Sequence, residues 1–203
     1  MDADGDQAMF IRTERLFLRP AWSEDATELT SAIAQEPVAR MLARMPWPYD
    51  ESHARDWIES PRSPHLPSLL VTLPVDGGRI VGGCGLHLDD GKPSVGYWIA
   101  PHAWGRGYAS EAVCALVSLA RLAGHQRLFA RHLRDNAASG RVLRKAGFRQ
   151  VEACSPFPAI GRPAAGESVE YELDLTEPAM CRTQPCCGWP GGRRPRAGIL
   201  AAA

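Results

Sequence analysis

The sequence predicts an α/β (α+β) domain with a mixed, mostly antiparallel central sheet of about six to seven strands, flanked by about four helices. Three observations carry this reading. Strand-like runs between Ser68 and Ile99 are joined by Asp76-Gly77-Gly78 and Asp89-Asp90-Gly91, tight-turn sequences that make an antiparallel meander. Apolar residues at helical spacing follow from Ala109 to Ala123. Later, Val169, Tyr171, Leu173 and Leu175 alternate with Glu170, Glu172 and Asp174, the pattern of a strand with one wet face.

In chain order, Phe10 to Arg19 ends in polar–apolar alternation and reads as a strand stopped by Pro20. Ser23-Glu24-Asp25-Ala26 opens a helix, its acids in the first turn where the helix dipole favours them, and Leu29, Ala32 and Ile33 follow at helical spacing. Met45-Pro46-Trp47-Pro48-Tyr49-Asp50 is a loop, because two prolines exclude regular structure. Ser52 starts a second helix with Ala54, Trp57 and Ile58 on one side, ended by Pro61, Pro64 and Pro67. The meander comprises Ser68–Leu73, Arg79–Leu88 and Val95–Ile99. The helix from Ala109 presents Ala112, Val113, Leu116, Val117 and Ala120 as one stripe and is closed by Gly124. Gln126–Leu133 is a strand. Asn136 caps a further helix with Ala138, Val142 and Ala146 inward and Gly147 at its end. Phe148–Glu152 and Glu167–Leu175 are the last strands. From Thr176 the chain is rich in Pro, Gly, Arg and Cys without periodicity. The expected organisation is one domain over 9–175 and a disordered tail over 176–203.

A chain of 203 residues with a 45% apolar fraction has material for one core. Its formal net charge of zero gives no whole-chain attraction to nucleic acid or an anionic membrane. Within the tail, Arg182, Arg193, Arg194 and Arg196 outnumber Glu177, so the body is mildly acidic, which suits a cationic amine. No apolar run approaches the ~20 residues of a membrane helix. The acidic start, Met1 to Gln7, is the reverse of a signal peptide, so a cytoplasmic protein is expected. Cys84, Cys114 and Cys154 read as small core hydrophobes. Cys181, Cys186 and Cys187 lack paired spacing and a following histidine, so no metal site is expected.

The chemistry-bearing segment is Ile99-Ala-Pro-His-Ala-Trp-Gly-Arg-Gly-Tyr-Ala-Ser-Glu-Ala112. A strand ends, a loop with Gly105 and Gly107 turns, and a helix begins. The unpaired N–H groups and positive dipole end of that first turn make a phosphate cradle. Arg106 adds charge. Tyr108 and Ala109 stand where a Walker loop needs Lys and Ser/Thr. The half-present pattern Gly105-x-Gly107-x-x-Ser110 follows about a hundred residues that include the meander, unlike a Rossmann dinucleotide domain.

The run Val95 to Ala112 resembles the coenzyme A pyrophosphate loop of GNAT-family N-acetyltransferases, and most resembles the branch that acetylates the N-terminal amines of ribosomal proteins. Asn136-Ala-Ala-Ser139-Gly-Arg-Val-Leu-Arg-Lys145-Ala-Gly147-Phe148 resembles a second family motif, and Ile11 to Pro20 resembles that branch's opening strand. The three lie in the family's order over roughly Ile11 to Leu175. The resemblance implies a GNAT fold, acetyl-CoA as co-substrate, no metal, and an amine acceptor, either a protein N-terminus or a small molecule. It implies that backbone groups of Ile99 and Ala100 line the pantetheine arm, and that amides of Gly105, Arg106, Gly107, Tyr108, Ala109 and Ser110 hold the pyrophosphate. Asn136 and Ser139 then face the pantetheine near the thioester. Trp104 departs from the Gln or Arg of many relatives.

Catalysis requires the ammonium to lose its proton, an oxyanion donor such as a backbone N–H near Ala100, and a proton for the leaving thiolate. Arg144 stands where many relatives carry a tyrosine acid, and the resemblance makes Ser139 the substitute. Ser94 stands where relatives often carry a carboxylate. His87 is the remaining group titrating near neutrality; a structural imidazole and a water relay without a dedicated base fit the same residues. Trp47, Tyr49 and Tyr97 either line the substrate cleft or pack the first helices onto the sheet. Arg141, Arg144 and Lys145 suit the C-terminal half of a helix. A non-catalytic acyl-CoA-binding module that regulates a partner is the alternative function, and a dinucleotide-binding oxidoreductase a more distant one. The expected assembly is a monomer or homodimer, with neither nucleic acid nor membrane as partner.

Overall fold

A tight turn, closed by the Thr13 N–H donating to the Leu16 carbonyl at 3.0 Å, breaks the opening apolar run into two short antiparallel strands, β1 (Ile11–Arg12) and β2 (Phe17–Arg19). The computed structural model describes residues 9–61, 63–151, 156–157 and 166–176. The expected tail beyond Thr176, with its cysteines and arginines, lies outside the described residues, as does Cys154.

After β2 the chain turns into α1 (Ala26–Ile33), with Ala26, Leu29, Ala32 and Ile33 buried at the expected spacing. A short helix the sequence reading did not anticipate follows, α2 (Glu36–Ala39), with Pro37 in its first turn, where a missing N–H costs nothing. The next helix, α3 (Glu51–Glu59), starts one residue before Ser52. The Asp50 carboxylate caps it, accepting from the Ser52 and His53 amides.

The meander forms as expected from β3 (Ser68–Leu73), β4 (Arg79–Asp89) and β5 (Lys92–Ile99). Then come α4 (Tyr108–Leu122), β6 (Arg127–Leu133), α5 (Ala137–Lys145), β7 (Arg149–Val151), β8 (Pro156–Phe157) and β9 (Gly166–Asp174). The strand order is β1-β2-β3-β4-β5-β6-β9-β7, with β8 pairing beside this path on β9. Every pair is antiparallel except β5 with β6. The sheet is thus somewhat larger than about six to seven strands. The split opening strand and the short β8 account for the excess.

Two apolar layers cover the sheet. On one face α4 packs Ala112, Val113, Leu116, Val117 and Ala120 against Leu69, Val71, Leu86, Val95 and Leu128. On the other, the first three helices pack against Leu70, Ile80 and Ala100. The buried stripe of α5 is Gly140 and Leu143, with Val142 and Ala146 at its margin. Ala138 is exposed, contrary to its expected inward position. It lies in the first turn, which opens onto a cleft in the sheet. A β-bulge interrupts β4: Val71 pairs with Gly82 and Thr72 with Ile80, leaving Val81 as an extra residue. Among the described residues, no helix is long and apolar enough to cross a membrane.

Candidate active site

Strands β5 and β6 meet at a single parallel pair, Ser94 with Phe129, and then diverge. Beyond it, among the described residues, no strand pairs with β5 on that side. The Ala100 N–H donates to the Val81 carbonyl at 2.8 Å, so Ala100, Trp98 and Gly96 turn their polar groups toward β4. By strand alternation, Tyr97 and Ile99 turn theirs into the opening. Both following helices begin at this open end, α4 after β5 and α5 after β6, so two sets of first-turn N–H groups flank it. A cleft of about 1640 Å³ occupies the opening and runs beneath α1, α2 and α3. That exceeds the roughly 300–1,000 Å³ of a one-ligand pocket, which leaves space for two reactants.

The loop entering α4 uses both glycines for their conformation. Gly105 and Gly107 sit at φ +76° and +80°, a region that other residues avoid. Gly105, Gly107, Tyr108, Ala109 and Ser110 line the cleft together with Ile99, Asn136 and Ser139. Arg106 and Ala100 do not. Ala100 is fully buried in the second apolar layer, and the Arg106 carbonyl is held by the Arg15 guanidinium at 2.8 Å. Trp104 donates its indole N–H to the Ile99 carbonyl at 2.6 Å.

Asn136 caps α5, its side-chain oxygen accepting from the Ser139 N–H at 3.1 Å. The Ser139 hydroxyl lies 2.6 Å from that of Tyr97. Burial raises the Tyr97 phenol to about 12, with the Ser139 hydrogen bond opposing and nearby Tyr171 adding to the rise. Tyr97 is therefore a neutral hydroxyl, which can hold or pass a proton. Behind α5, Arg144 donates to the Tyr171 hydroxyl at 3.1 Å. His132 donates from Nδ1 to the Leu133 carbonyl, which leaves Nε2 to face Tyr171 as an acceptor. Gly140 is required there, since a Cβ would stand 2.8 Å from His132 Nε2 and 2.9 Å from the Tyr171 hydroxyl.

His87, on β4, pairs with Ser94 of β5 and stands over Gly96, on the sheet face opposite Tyr97. Its pKa is held below the usual 6.5, first by burial and then by Arg44 and Arg131, with Asp89 opposing. Asp89 is gripped by both arginines, Arg44 at 2.9 Å and Arg131 at 2.9 Å and 3.0 Å. Met41 and Ala43 also pack on Leu133, so the segment after α2 bridges to β6. Tyr49 lines the cleft, whereas Trp47, 41% exposed, is absent from its lining.

Sequence reasoning missed one group next to the loop. Glu111, on the apolar face of α4 yet 6% exposed, accepts from Thr13 and from the Arg15 backbone and side chain. A lone acid among buried positions was the available signal.

The chain is similar to known proteins in sequence and in fold. The model of the acetyltransferase (GNAT) domain matches residues 15–149. The uncharacterized N-acetyltransferase p20 of Bacillus licheniformis is 31% identical over 113 residues, 53% of this chain; the chain spans 63% of that protein's length. A GNAT-family acetyltransferase from Bacillus anthracis superposes with TM-score 0.71 at 22% identity, over 83% of this chain and 100% of that one. Mycobacterium smegmatis RimJ, solved in complex with CoA-disulfide, gives TM-score 0.67 at 19% identity, over 82% and 86%. With the family model covering most of the chain and the helix-flanked fork between β5 and β6 in place, this protein belongs to the GNAT acetyltransferase family.

Proposed function

We propose that the chain transfers an acetyl group from acetyl-CoA to a primary amine by direct attack on the thioester. The observation that carries this is the fork between β5 and β6, with a hydroxyl pair on one face of β5 and an imidazole on the other. Acyl transfer needs this division, because the amine approaches the carbonyl from one side while the thiolate departs on another. Amides of Gly105 and Gly107 and the first turn of α4 hold the pyrophosphate, with Arg106 adding charge from outside the cleft.

On this reading His87 takes a proton from the acceptor ammonium, directly or through water. The amine then forms the C–N bond. The oxyanion is met by the N–H of Ile99 or Tyr97, since that of Ala100 is engaged by Val81. Collapse breaks the C–S bond. With Tyr97 donating to the Ser139 oxygen, the serine proton is free to go to the thiolate; the second proton of the acylated nitrogen leaves to water, and water restores the serine hydroxyl, so amide, free thiol and one proton on His87 result. Acceptors are a protein N-terminal amine or a small-molecule amine, entering over Tyr49 on the His87 side. Support for a protein acceptor comes from the similarity in fold to RimL, a ribosomal L7/L12 alpha-N-protein acetyltransferase.

Calorimetry of the full chain against acetyl-CoA, with NADH as control, tests the donor, and an amine panel then tests turnover. Binding without turnover of any amine would favour the regulatory-module reading. Gly107→Val places a β-branched side chain at φ +80°. The expected acetyl-CoA Kd is about tenfold or more higher, given the ~1–2 kcal/mol cost of left-handed backbone. Tyr97→Phe leaves the Ser139 hydroxyl but removes its partner. The expected result is a kcat lowered by about tenfold with acetyl-CoA affinity unchanged, checked by steady-state kinetics beside calorimetry.

A further inference from the structure

We propose that Arg15, on the turn between β1 and β2, is a positioning residue for the coenzyme's pyrophosphate, acting as a strut that sets the direction of the Gly107 N–H. The inference rests on the acetyl-CoA reading above. Arg15 Nη1 donates to the Arg106 carbonyl at 2.8 Å. In a trans peptide the carbonyl and the following N–H point in opposite directions. A carbonyl drawn out toward Arg15 therefore turns the Gly107 N–H the other way, and Gly107 lines the cleft.

The strut is anchored in the helix it serves. Arg15 Nε and Nη2 both reach Glu111 Oε2 at 2.7 Å. The Arg15 N–H and the Thr13 hydroxyl reach Oε1 at 2.8 Å and 2.6 Å. The guanidinium also lies 5.0 Å from the centre of the Tyr108 ring. One side chain thus touches the loop carbonyl, the first helical residue and the first-turn acid. Its charge has a second consequence. Glu111 is buried next to the turn that holds the phosphates, and its carboxylate is ionised: burial works against the charge, but the hydrogen bonds from Thr13 and Arg15 prevail and lower its pKa. An unneutralised carboxylate there would repel the pyrophosphate. Arg15 cancels that repulsion and aims a donor with the same group.

The test is Arg15→Met in the full chain, which keeps the stem and drops the guanidinium. Acetyl-CoA binding is measured by calorimetry. Binding of S-acetylpantetheine, which has no pyrophosphate, is followed by ligand-observed NMR. The expected result is an acetyl-CoA Kd raised about tenfold, with S-acetylpantetheine binding unchanged. Arg15→Lys keeps a charge for Glu111 but cannot span to the Arg106 carbonyl at the same time. It should fall between wild type and Arg15→Met, and it carries the test if the methionine variant does not fold. Unchanged acetyl-CoA affinity in a folded variant, or equal loss for both ligands, overturns the strut. Failure of the wild type to bind acetyl-CoA overturns the coenzyme reading and the strut with it, and it is read without any variant.

Discussion

Replacing His87 with glutamine is expected to lower kcat/KM for the amine acceptor by about 10²- to 10⁴-fold, the range for losing a positioned acid–base group. The ring stands over Gly96 and faces the part of the cleft roofed by the first helices. Burial, then the charges of Arg44 and Arg131, lower its pKa below 6.5, with Asp89 opposing. A group so lowered is neutral at pH 7, the form that accepts a proton. Activity should therefore hold above the lowered pKa and fall as pH drops through it, giving an acid limb below pH 6.5. Asp89→Asn removes the one opposing charge, so the limb should move lower still. The kcat/KM–pH profile of wild type and both variants checks this. An acid limb surviving unchanged in His87→Gln would show that the proton leaves through water, without the imidazole.

Asp25→Ala is expected to cost about 3–5 kcal/mol of stability, the effect of stranding a buried charge. Arg19 and Asp25 form a two-point pair at 2.6 Å and 2.7 Å, their side chains 10% and 9% exposed. The same carboxylate accepts from the Trp22 N–H, and the Trp22 ring stacks 4.0 Å from the guanidinium. Without Asp25, Arg19 keeps its charge in a site that excludes water. Burial pushes the Asp25 pKa up, but the hydrogen bonds from Arg19 and Trp22 and the Arg19 charge outweigh it and hold it below the usual value. Its contribution is therefore present above the unfolded carboxylate pKa of about 3.9 and is lost as pH falls through the depressed native value. Urea unfolding at pH 7 and at acid pH measures both. A deficit in Asp25→Ala that is large at pH 7 and shrinks in acid is the expected pattern.

Much of this was legible along the chain because the signals are local. The Gly105–Gly107 loop, the buried stripe from Ala112 to Ala120 and the meander turns each declare themselves within a few residues. What escaped is long-range or too short to show a period. Arg15 and Glu111 are 96 residues apart, and neither residue type predicts the other. α2 is a single turn, too brief for an apolar repeat. The opening strand reads as continuous because nothing at Thr13–Leu16 except the turn bonds themselves signals a break. Tyr171 alternates correctly on β9, but that its hydroxyl would meet Arg144 and His132 under Gly140 depends on how α5 docks. Trp47 and Tyr49 were indistinguishable as loop aromatics; only the path of the backbone sends one to the cleft and the other to solvent.

The extra residue at Val81 decides the chemistry of a position six residues further on. Strand side chains alternate strictly, so one insertion inverts everything downstream. Ile80 faces the first three helices, yet beyond the bulge Cys84 and Leu86 face α4, and His87 consequently shares Ile80's side. In an unbroken strand the parity would be reversed. The imidazole would be buried against α4, and Leu86 would face the first three helices in its place. The separation of the His87 imidazole from the Tyr97 and Ser139 hydroxyls across β5 is therefore a matter of phase, written into the chain as a single added residue.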